Sequence, residues 1–374
     1  MSLKMPIYIA VINDIATDQR VQRVACTLAK SKNPIIIIGR KLKNSPQVSN
    51  TCFKIKRFSL VARRGFLFYA LYNTRLFFYL IFKKGGLILS NDMDTLPACF
   101  LASKLKKSKL VFDAHELFAE VPELIEKMLV KRFWKVTEKI LLPKLKYAYT
   151  VSPGLAGEFY KDYRINMEVV RNLPFRTILK EKVIMNPPAI IYQGALNRGR
   201  GIEKVIKALV FLKNVQFIII GAGDIEDKLQ ELVEKVQVDD KVTFMGRKLP
   251  NEVKEITPGA SLGISLEENL ALNYYHSLPN KVFDYIQAEV PVLCSGFPEM
   301  KKIVDHYSIG QTTLEDDPGK LAVIIDEMIN NQGLRKEWKK NLKVAANELC
   351  WENEENKLIK VYEKAGLNFD DRYV

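Results

Sequence analysis

The chain has 374 residues, 48% of them hydrophobic, and carries 57 basic against 43 acidic side chains, a formal net charge of +14. This hydrophobic content can form substantial cores, so the composition excludes a disordered chain. The five cysteines are scattered, without a C-x-x-C pair or a nearby pair of histidines. That spacing argues against a disulfide framework or a zinc site and favours a reducing, cytoplasmic compartment.

The surplus positive charge lies in one half of the chain. Residues 1–172 hold 30 basic and 13 acidic side chains, whereas the remaining residues hold 27 basic and 30 acidic ones. The net charges of the two parts are therefore +17 and −3. In a chain long enough for about two domains, this break predicts two units with different electrostatic roles.

Short apolar runs rich in β-formers alternate with amphipathic helical stretches along the chain, the pattern of parallel sheets covered by helices. Strands are predicted in the first half at 7–12, 34–38, 52–58, 87–89, 109–112 and 147–151, and in the second at 189–192, 215–220, 241–245, 261–265, 291–294 and 309–312. The carboxylate of Asp18 is predicted to cap a helix over 19–31. Prolines between Asn172 and Pro188 mark a boundary between two doubly wound domains.

An aromatic stretch at 65–82 has two possible interpretations. Polar residues at 73–75 interrupt it, which makes it a poor transmembrane span. It either lies in a membrane interface or forms a helix buried against the sheet, with basic ends in both cases. The basic residues that would meet anionic lipid are Arg63, Arg64, Lys83 and Lys84.

The segment 277–292 is the most informative one. Ser277 is predicted to cap a helix starting at Pro279, and the backbone N–H groups of that helix, with Lys281 nearby, would favour a phosphate. Asp284 lies three residues after Lys281 and four after Asn280, so the three share a helix face. A carboxylate one turn beyond a phosphate can accept both hydroxyls of a ribose. The alternative is a plain capped helix with a surface ion pair.

Two short motifs also have competing interpretations. Gly221 and Gly223 resemble a dinucleotide fingerprint, but its third glycine would fall on Glu226, so a tight turn near a nucleotide is favoured. Asp92 and Asp94 have the spacing of a metal clamp, yet a helix signal follows at once. These acids are therefore expected to cap that helix and line a cleft rather than bind metal.

His115 follows the predicted strand 109–112, at the edge where doubly wound sheets bind ligands. There it could hydrogen-bond a hydroxyl or a phosphate of a bound ligand. A purely structural role is the alternative.

The segment 278–292 resembles the L-P-x-K-x-F-E-Y-M-x-x-G-x-P-V signature of retaining glycosyltransferases of family four, in particular the bacterial polysaccharide-biosynthesis members. Further matches extend over most of the chain, among them 18–21, 91–97, 113–116, 192–194, 221–224 and a C-terminal helix. The resemblance implies an α/β GT-B fold of two Rossmann-like doubly wound domains facing a cleft. Residues 1–172 would form the acceptor domain and 173–352 the nucleotide-sugar domain, with 353–374 crossing back to the first.

The resemblance also implies transfer of a sugar, with retention, from a UDP- or GDP-linked nucleotide-sugar to an acceptor hydroxyl, without a metal or other cofactor. The implied catalytic residues are His115 and Glu116, and Asp18, Arg20 and Asp92 would lie on the acceptor side. The implied donor-binding residues are Asp284 on the ribose, Lys281, Asn280, Arg200, Arg198, Gly221, Gly223, Gly246, Arg247, Asn269 and His276.

The chain departs from the family pattern at three places. The first acid of the two-glutamate motif falls on His276, so His276, Asn269 or Glu268 would replace its contact with the donor sugar. The diphosphate-binding Arg and Lys fall on Ala195 and Arg200, where Arg198 would stand in for the missing cation. Glu289 occupies a turn position where the signature has glycine, the residue that best adopts positive φ.

Two other functions remain open from the sequence. One is a sugar-nucleotide epimerase or hydrolase of the same fold, and the other is a non-enzymatic binder of anions such as nucleic acid or membrane. No helix-turn-helix, zinc-finger or RNA-binding pattern is evident, so a nucleic-acid partner is not expected. The expected partners are a nucleotide-sugar, a polysaccharide or lipid-linked acceptor, and an anionic membrane surface, with the protein cytoplasmic or peripheral on the inner face of the cell membrane.

Overall fold

The computed structural model describes residues 5–16, 18–42, 45, 48, 52–62, 65–121, 124, 127–179 and 183–369. Arg63 and Arg64 lie outside them. The chain divides into two compact units, one formed by 1–172 with 354–374 and the other by 173–353.

The first unit is built on a parallel sheet in the order β3-β2-β1-β4-β5-β6-β7. Its strands are β1 Ile7–Ala10, β2 Ile35–Arg40, β3 Lys54–Phe58, β4 Leu87–Asn91, β5 Lys109–Ala114, β6 Tyr147–Thr150 and β7 Glu168–Val169. Its helices are α1 Gln19–Ala29, α2 Gly65–Ile81, α3 Leu96–Lys106, α4 Met128–Leu141 and α5 Pro153–Tyr163. The central strands β1 and β4 are fully buried, as expected for a parallel sheet covered on both faces.

The second unit contains a parallel sheet in the order β10-β9-β8-β11-β12-β13. Its strands are β8 Ala189–Gln193, β9 Gln216–Ile220, β10 Val242–Phe244, β11 Leu262–Ser265, β12 Val292–Ser295 and β13 Gly310–Thr313. Its helices are α6 Ile202–Ala208, α7 Glu226–Val236, α8 Pro250–Ile256, α9 Leu272–Tyr275, α10 Asn280–Gln287, α11 Pro298–Tyr307, α12 Pro318–Asn330 and α13 Gln332–Glu348. A last helix, α14 Trp351–Lys364, begins in this unit and continues into the first.

All twelve predicted strands are confirmed to within two residues at each end. The strand that the sequence did not predict, β7, is only two residues long and contains the exposed Glu168, so it has no apolar pattern. The predicted cap of α1 is also confirmed, because an Asp18 carboxylate oxygen accepts a hydrogen bond from the Val21 amide at 3.0 Å.

The aromatic stretch forms one continuous helix, α2. Asn73 does not break it, because its side chain donates to the carbonyls of Tyr69 and Asp94 and accepts from the Ala98 amide, which ties α2 to the start of α3. The helix is buried along one stripe, formed by Phe68, Tyr72, Leu76 and Leu80. Among the described residues, no helix is long and apolar enough to cross a membrane.

In the second unit, the Tyr285 hydroxyl lies between β8 and β11 where the two strands diverge. These strands pair only through Leu262 with Ile190 and Gly263 with Ile191. The hydroxyl oxygen lies 3.2 Å from the carbonyl oxygens of Ile191 and Ile264. It also accepts a hydrogen bond from the backbone N–H of Gln193 at 3.3 Å. It therefore offers a hydrogen-bond partner to backbone groups that cannot pair across the diverging strands.

We expect Tyr285→Phe to lower the free energy of unfolding by about 1–3 kcal/mol, because buried peptide groups lose their partner. The measurement is urea unfolding followed by circular dichroism. Tyr307→Phe is the matched control, since it removes an exposed hydroxyl bonded to Glu348 in the same unit and should change stability by less than about 0.5 kcal/mol. Equal losses in the two variants would contradict this role of Tyr285.

Candidate functional site

In the first unit, polar side chains collect where β4 and β5 end. The sheet order reverses between β1 and β4, and ligands of doubly wound sheets bind at the carboxyl ends of strands beside such a point. Asp92 follows β4 and His115 follows β5. One Asp92 oxygen accepts from the His115 amide at 2.8 Å, and the other lies 3.0 Å from His115 Nδ1. Two residues that the sequence placed on adjacent strand ends are thus in direct contact.

Asp113 lies on the other side of the His115 ring. Its Oδ2 is 3.2 Å from His115 Nε2. Arg20 binds the same carboxylate with two hydrogen bonds, of 2.8 Å and 3.1 Å, and also donates to the Val170 carbonyl. Arg20 and Asp113 are both buried. Arg20, expected from the sequence on the acceptor side, is thus bound to Asp113, and Asp18, expected there as well, caps α1.

These four side chains alternate in charge, from Arg20 through Asp113 and His115 to Asp92. Burial opposes protonation of His115, but Asp92 and Asp113 outweigh it and hold the pKa of His115 well above its ordinary value. Burial also opposes ionisation of Asp113, yet Arg20 and His115 keep its pKa below the usual range. The two carboxylates therefore favour the protonated, imidazolium form of His115.

Asp94 differs from Asp92 although only one residue separates them. Its side chain is buried, and burial, followed by the nearby charges of Asp92 and Glu116, raises the pKa of Asp94 well above its ordinary value. Both oxygens of Asp92 already face His115. The two acids are thus not a matching pair of anions, and among the described residues no group of three His, Cys, Asp or Glu side chains is arranged so that it could hold a metal ion.

In the second unit, glycine turns follow three neighbouring strands. The Gly194 amide donates to the Ile220 carbonyl, and the Gly221 amide donates to the Gly246 carbonyl, each at 2.9 Å. Gly221 has φ +150°, and a Cβ on it would lie 1.8 Å from the Gly194 carbonyl oxygen. Only glycine allows this approach. The turns after β8, β9 and β10 therefore form one continuous edge.

A buried carboxylate that the sequence analysis did not single out lies at the same edge. Glu267, just beyond β11, accepts hydrogen bonds from Lys281 Nζ at 2.7 Å and from the Ser265 hydroxyl at 2.8 Å. Arg200 Nη1 is 3.7 Å from the same carboxylate. Burial opposes ionisation, but Lys281 and Arg200 outweigh it and lower the pKa of Glu267. Its position directly after a buried strand, like that of Asp92, was the signal available in the sequence.

The Lys281 side chain points inward. It is buried, its ammonium lies 4.7 Å from the centre of the Tyr192 ring, and its stem passes beside Gly194. Arg200 is more exposed and lies over the Tyr274 ring. Arg200 rather than Lys281 thus presents part of its charge to solvent.

The Asp284 carboxylate is hydrogen-bonded to Gln193, the last residue of β8. Gln193 Nε2 donates to Asp284 Oδ2 at 3.0 Å, while Gln193 Oε1 accepts from the Thr257 hydroxyl at 2.8 Å. The hydrogen bond from Thr257 fixes the orientation of the Gln193 side-chain amide, so that its NH₂ group points to the Asp284 carboxylate. Asp284, on α10, and the strand edge are therefore joined through a residue that the sequence analysis did not select.

The start of α10 differs in part from the prediction. The helix begins at Asn280 with Pro279 as its cap, and the Ser277 hydroxyl instead donates to the Tyr274 carbonyl. The prediction that Ser277 caps it was wrong, because the helix begins one residue later than predicted and Pro279, not Ser277, occupies the cap position. The expected strain at the far end is present, since Glu289 has φ +53°.

The other predicted donor residues lie around this edge. The Arg198 carbonyl accepts from the Tyr274 hydroxyl at 3.4 Å, and the Gly199 carbonyl accepts from the Glu268 amide at 2.9 Å, which brings the Arg198 loop against the loop of Asn269. The His276 ring lies 5.0 Å from that of Tyr275. The remaining predicted residues are the exposed Asn280 and Arg247, and Gly223, whose backbone lies close to the Leu196 carbonyl.

The family described as glycosyl transferases group 1 matches residues 175–344. That range covers nearly all of the second unit and includes Arg200, Glu267, Lys281 and Asp284. The second unit is thus similar to the glycosyl transferases group 1 family. The group 1 match thus includes the edge built by β8, β9 and β11.

Curated relatives of the chain are also glycosyltransferases. An uncharacterized glycosyltransferase of Methanocaldococcus jannaschii is 24% identical over 208 residues, which are 54% of this chain and 51% of that protein. The amylovoran biosynthesis glycosyltransferase AmsK of Erwinia amylovora is 24% identical over 50% of this chain and 46% of its own length. The chain thus spans about half the length of these relatives.

Solved structures share the fold over nearly the whole chain. Sucrose-phosphate synthase from Thermosynechococcus elongatus has a TM-score of 0.81 and 15% identity, covering 97% of this chain and 99% of that one. Anabaena HepE in complex with UDP and glucose has a TM-score of 0.71 and 13% identity, with the same coverage. The predicted α/β fold of two Rossmann-like domains of the GT-B type is therefore confirmed.

The buried charges of the first unit make a testable prediction about pH. The protonated form of His115 is favoured by folding, so its contribution to stability is complete below the unfolded pKa of about 6.5 and is lost as pH rises through the higher folded-state pKa. Asp92→Asn removes one carboxylate, so we expect the folded-state pKa of His115 to fall, and this stability contribution to become smaller and to be fully lost at a lower pH.

An NMR titration of the three imidazoles, assigned with His276→Gln and His306→Gln, measures this pKa. Asp162→Asn, at an exposed position of the same unit, is the control and should leave it unchanged. The proposed ion pair is refuted if His115 titrates at the same pH in Asp92→Asn and in the unsubstituted protein.

Proposed function

We propose that this protein is a glycosyltransferase that moves a sugar from a nucleotide-diphosphate donor to an acceptor hydroxyl with retention, in the synthesis of a cell-surface polysaccharide or glycolipid. The observation that carries the proposal is the set of Arg200, Glu267, Lys281 and Asp284 at the carboxyl edge of a unit that matches the glycosyl transferases group 1 family. The curated relatives support transfer over the epimerase, hydrolase and anion-binding alternatives.

The second unit would bind the donor. Asp284, oriented by Gln193, is suited to accept both hydroxyls of a ribose. The N–H groups at the start of α10 favour a phosphate, because Pro279 has no side chain that could cap them. Arg200 and Arg198 would supply the cations for the diphosphate. Lys281 is then a positioning residue that acts through Glu267.

In the first unit, His115 would contribute a fixed positive charge. As an imidazolium held by Asp92 and Asp113, it is suited to stabilise negative charge developing on the leaving phosphate or to donate to a sugar hydroxyl. Its orientation is set before substrate binds, so no reorganisation is needed during reaction. Glu116 and Asp92 would lie on the acceptor side of this charge.

Retention would follow from attack on the face of the sugar that the phosphate leaves. A donor phosphate oxygen takes the acceptor proton, the new glycosidic bond forms as the sugar–phosphate bond breaks, and the nucleoside diphosphate departs. This route requires no protein nucleophile. The protein's contribution is positioning and electrostatic stabilisation. HepE, solved with UDP-glucose, supports a UDP-linked donor, and the cytoplasm would supply it.

A thermal-shift panel of UDP-, GDP- and ADP-sugars tests the donor site. At a donor concentration of 100 times Kd, binding should stabilise the folded state by about 2.7 kcal/mol. We expect Asp284→Ala to lose most of the shift, whereas Asp305→Ala, at an exposed position of the same unit, should keep it. The proposed ribose contact is wrong if both variants respond as the unsubstituted protein does.

The stereochemical outcome needs a separate measurement. We expect an α-linked donor to give an α-linked product, identified by NMR of the anomeric proton coupling. A β-linked product would exclude retention while leaving the donor site intact. Epimerised or hydrolysed sugar-nucleotide, formed at full rate without any acceptor, would contradict transfer itself.

A further inference from the structure

Three neighbouring helices of the first unit present apolar side chains to solvent. The exposed stripe of α2, opposite its buried one, contains Leu67, Leu71 and Phe78, and the exposed Phe82 lies just beyond the end of the helix. On α4, an exposed stripe recurs at spacings of four, three and four residues through Leu129, Phe133, Val136 and Ile140. Leu101 and Leu105 of α3 are exposed as well. We call these ten side chains the three-helix face.

The three helices form a single layer. Asn73 of α2 bonds to the start of α3, and the Phe66 ring meets that of Phe133 on α4 at 5.9 Å, edge to face. Tyr69 packs against Trp134 in the same way at 5.5 Å. The exposed apolar side chains of α2 and α4 therefore meet through Phe66 and Phe133 rather than standing as scattered single residues. A surface of that kind marks an interaction site.

The exposed charged residues of these three helices are basic. The three helices contain seven basic residues, namely Arg75, Lys104, Lys106, Lys131, Arg132, Lys135 and Lys139, and one acidic residue, Glu138. Glu138 is buried and accepts a hydrogen bond from Tyr163. Lys131 and Lys135 pair with Glu120 beside α4, whereas Arg132 and Lys139 are exposed along the edge of its apolar stripe.

We propose that the three-helix face docks onto an anionic phospholipid surface. A bilayer offers both complements at once, negative headgroups for the cations and an apolar boundary for the leucines and phenylalanines. A second copy of the chain would instead set basic residues against basic residues. The proposal goes beyond the glycosyltransferase function and does not depend on it, because the face lies wholly within the first unit and the donor site is assigned to the second.

Flotation with lipid vesicles tests the proposal. We expect the protein to float with phosphatidylcholine vesicles that contain about 30% phosphatidylglycerol at low salt, and not with phosphatidylcholine alone. Salt should weaken the interaction, because screening acts on exposed charges.

Two sets of variants separate the apolar and the electrostatic parts. Phe82→Ser, Leu129→Ser and Ile140→Ser, combined, should lower vesicle binding at least about tenfold. The matched control, Val323→Ser with Val344→Ser, changes exposed apolar residues of the second unit and should bind normally. Arg132→Gln with Lys139→Gln should lower binding about 25-fold, roughly fivefold for each cation, whereas Lys228→Gln with Lys340→Gln should not.

The proposal is overturned if the unsubstituted protein does not float with anionic vesicles, or if the serine and glutamine variants float as well as their controls. It is also overturned if the face instead joins two copies, seen by ultracentrifugation as a dimer that the serine variant dissociates. Should the serine variant fail to fold, the glutamine variant decides. The donor thermal shift is measured on the same variants, so loss of flotation with an intact shift separates docking from donor binding.

Discussion

In each unit, a buried carboxylate lies at the end of one inner strand, and its negative charge has to be neutralised. Asp113 lies at the end of β5 and Glu267 just beyond β11, and neither side chain reaches solvent. An isolated carboxylate there would cost several kcal/mol in lost hydration. Arg20 and His115 neutralise the first, and Lys281 and Arg200 neutralise the second. Because these partners come from other loops and helices, the two ion clusters fix the strand edges where ligands of such sheets bind.

This arrangement sets how charge is distributed over the proposed donor site. Lys281 and Arg200 together would carry a double positive charge there, but Glu267 offsets one of the two charges and interacts with both cations. The partly exposed Arg200 guanidinium then remains as a planar donor group, while Lys281 contributes through its packing against Gly194 and Tyr192. Directed hydrogen-bond donors of this kind recognise a phosphate by geometry as well as by charge.

The unequal charge of the two halves also has a structural counterpart. About a third of the excess in residues 1–172, +6 of +17, lies on α2, α3 and α4, whose surface carries cations beside exposed leucines and phenylalanines. A basic face that merely kept the protein in solution would not need apolar side chains beside the cations. The combination distinguishes this layer from the helices of the second unit, where acidic and basic residues are mixed, as on α7.

The sequence by itself determined the local structure. The twelve strands, the Asp18 cap and the strained turn at Glu289 follow from apolar periodicity, side-chain capping and the conformational limits of single residues, which act over a few positions. Only the tertiary structure decided the partners of the buried charges. Arg20 and Asp113 are 93 residues apart, and the order of strands in the sheet brings them together. For the same reason Glu267, Gln193 and the inward direction of Lys281 were not predicted. The second, exposed stripe of α2 likewise emerged only from the fold, because an aromatic helix is compatible with burial on one side or on both.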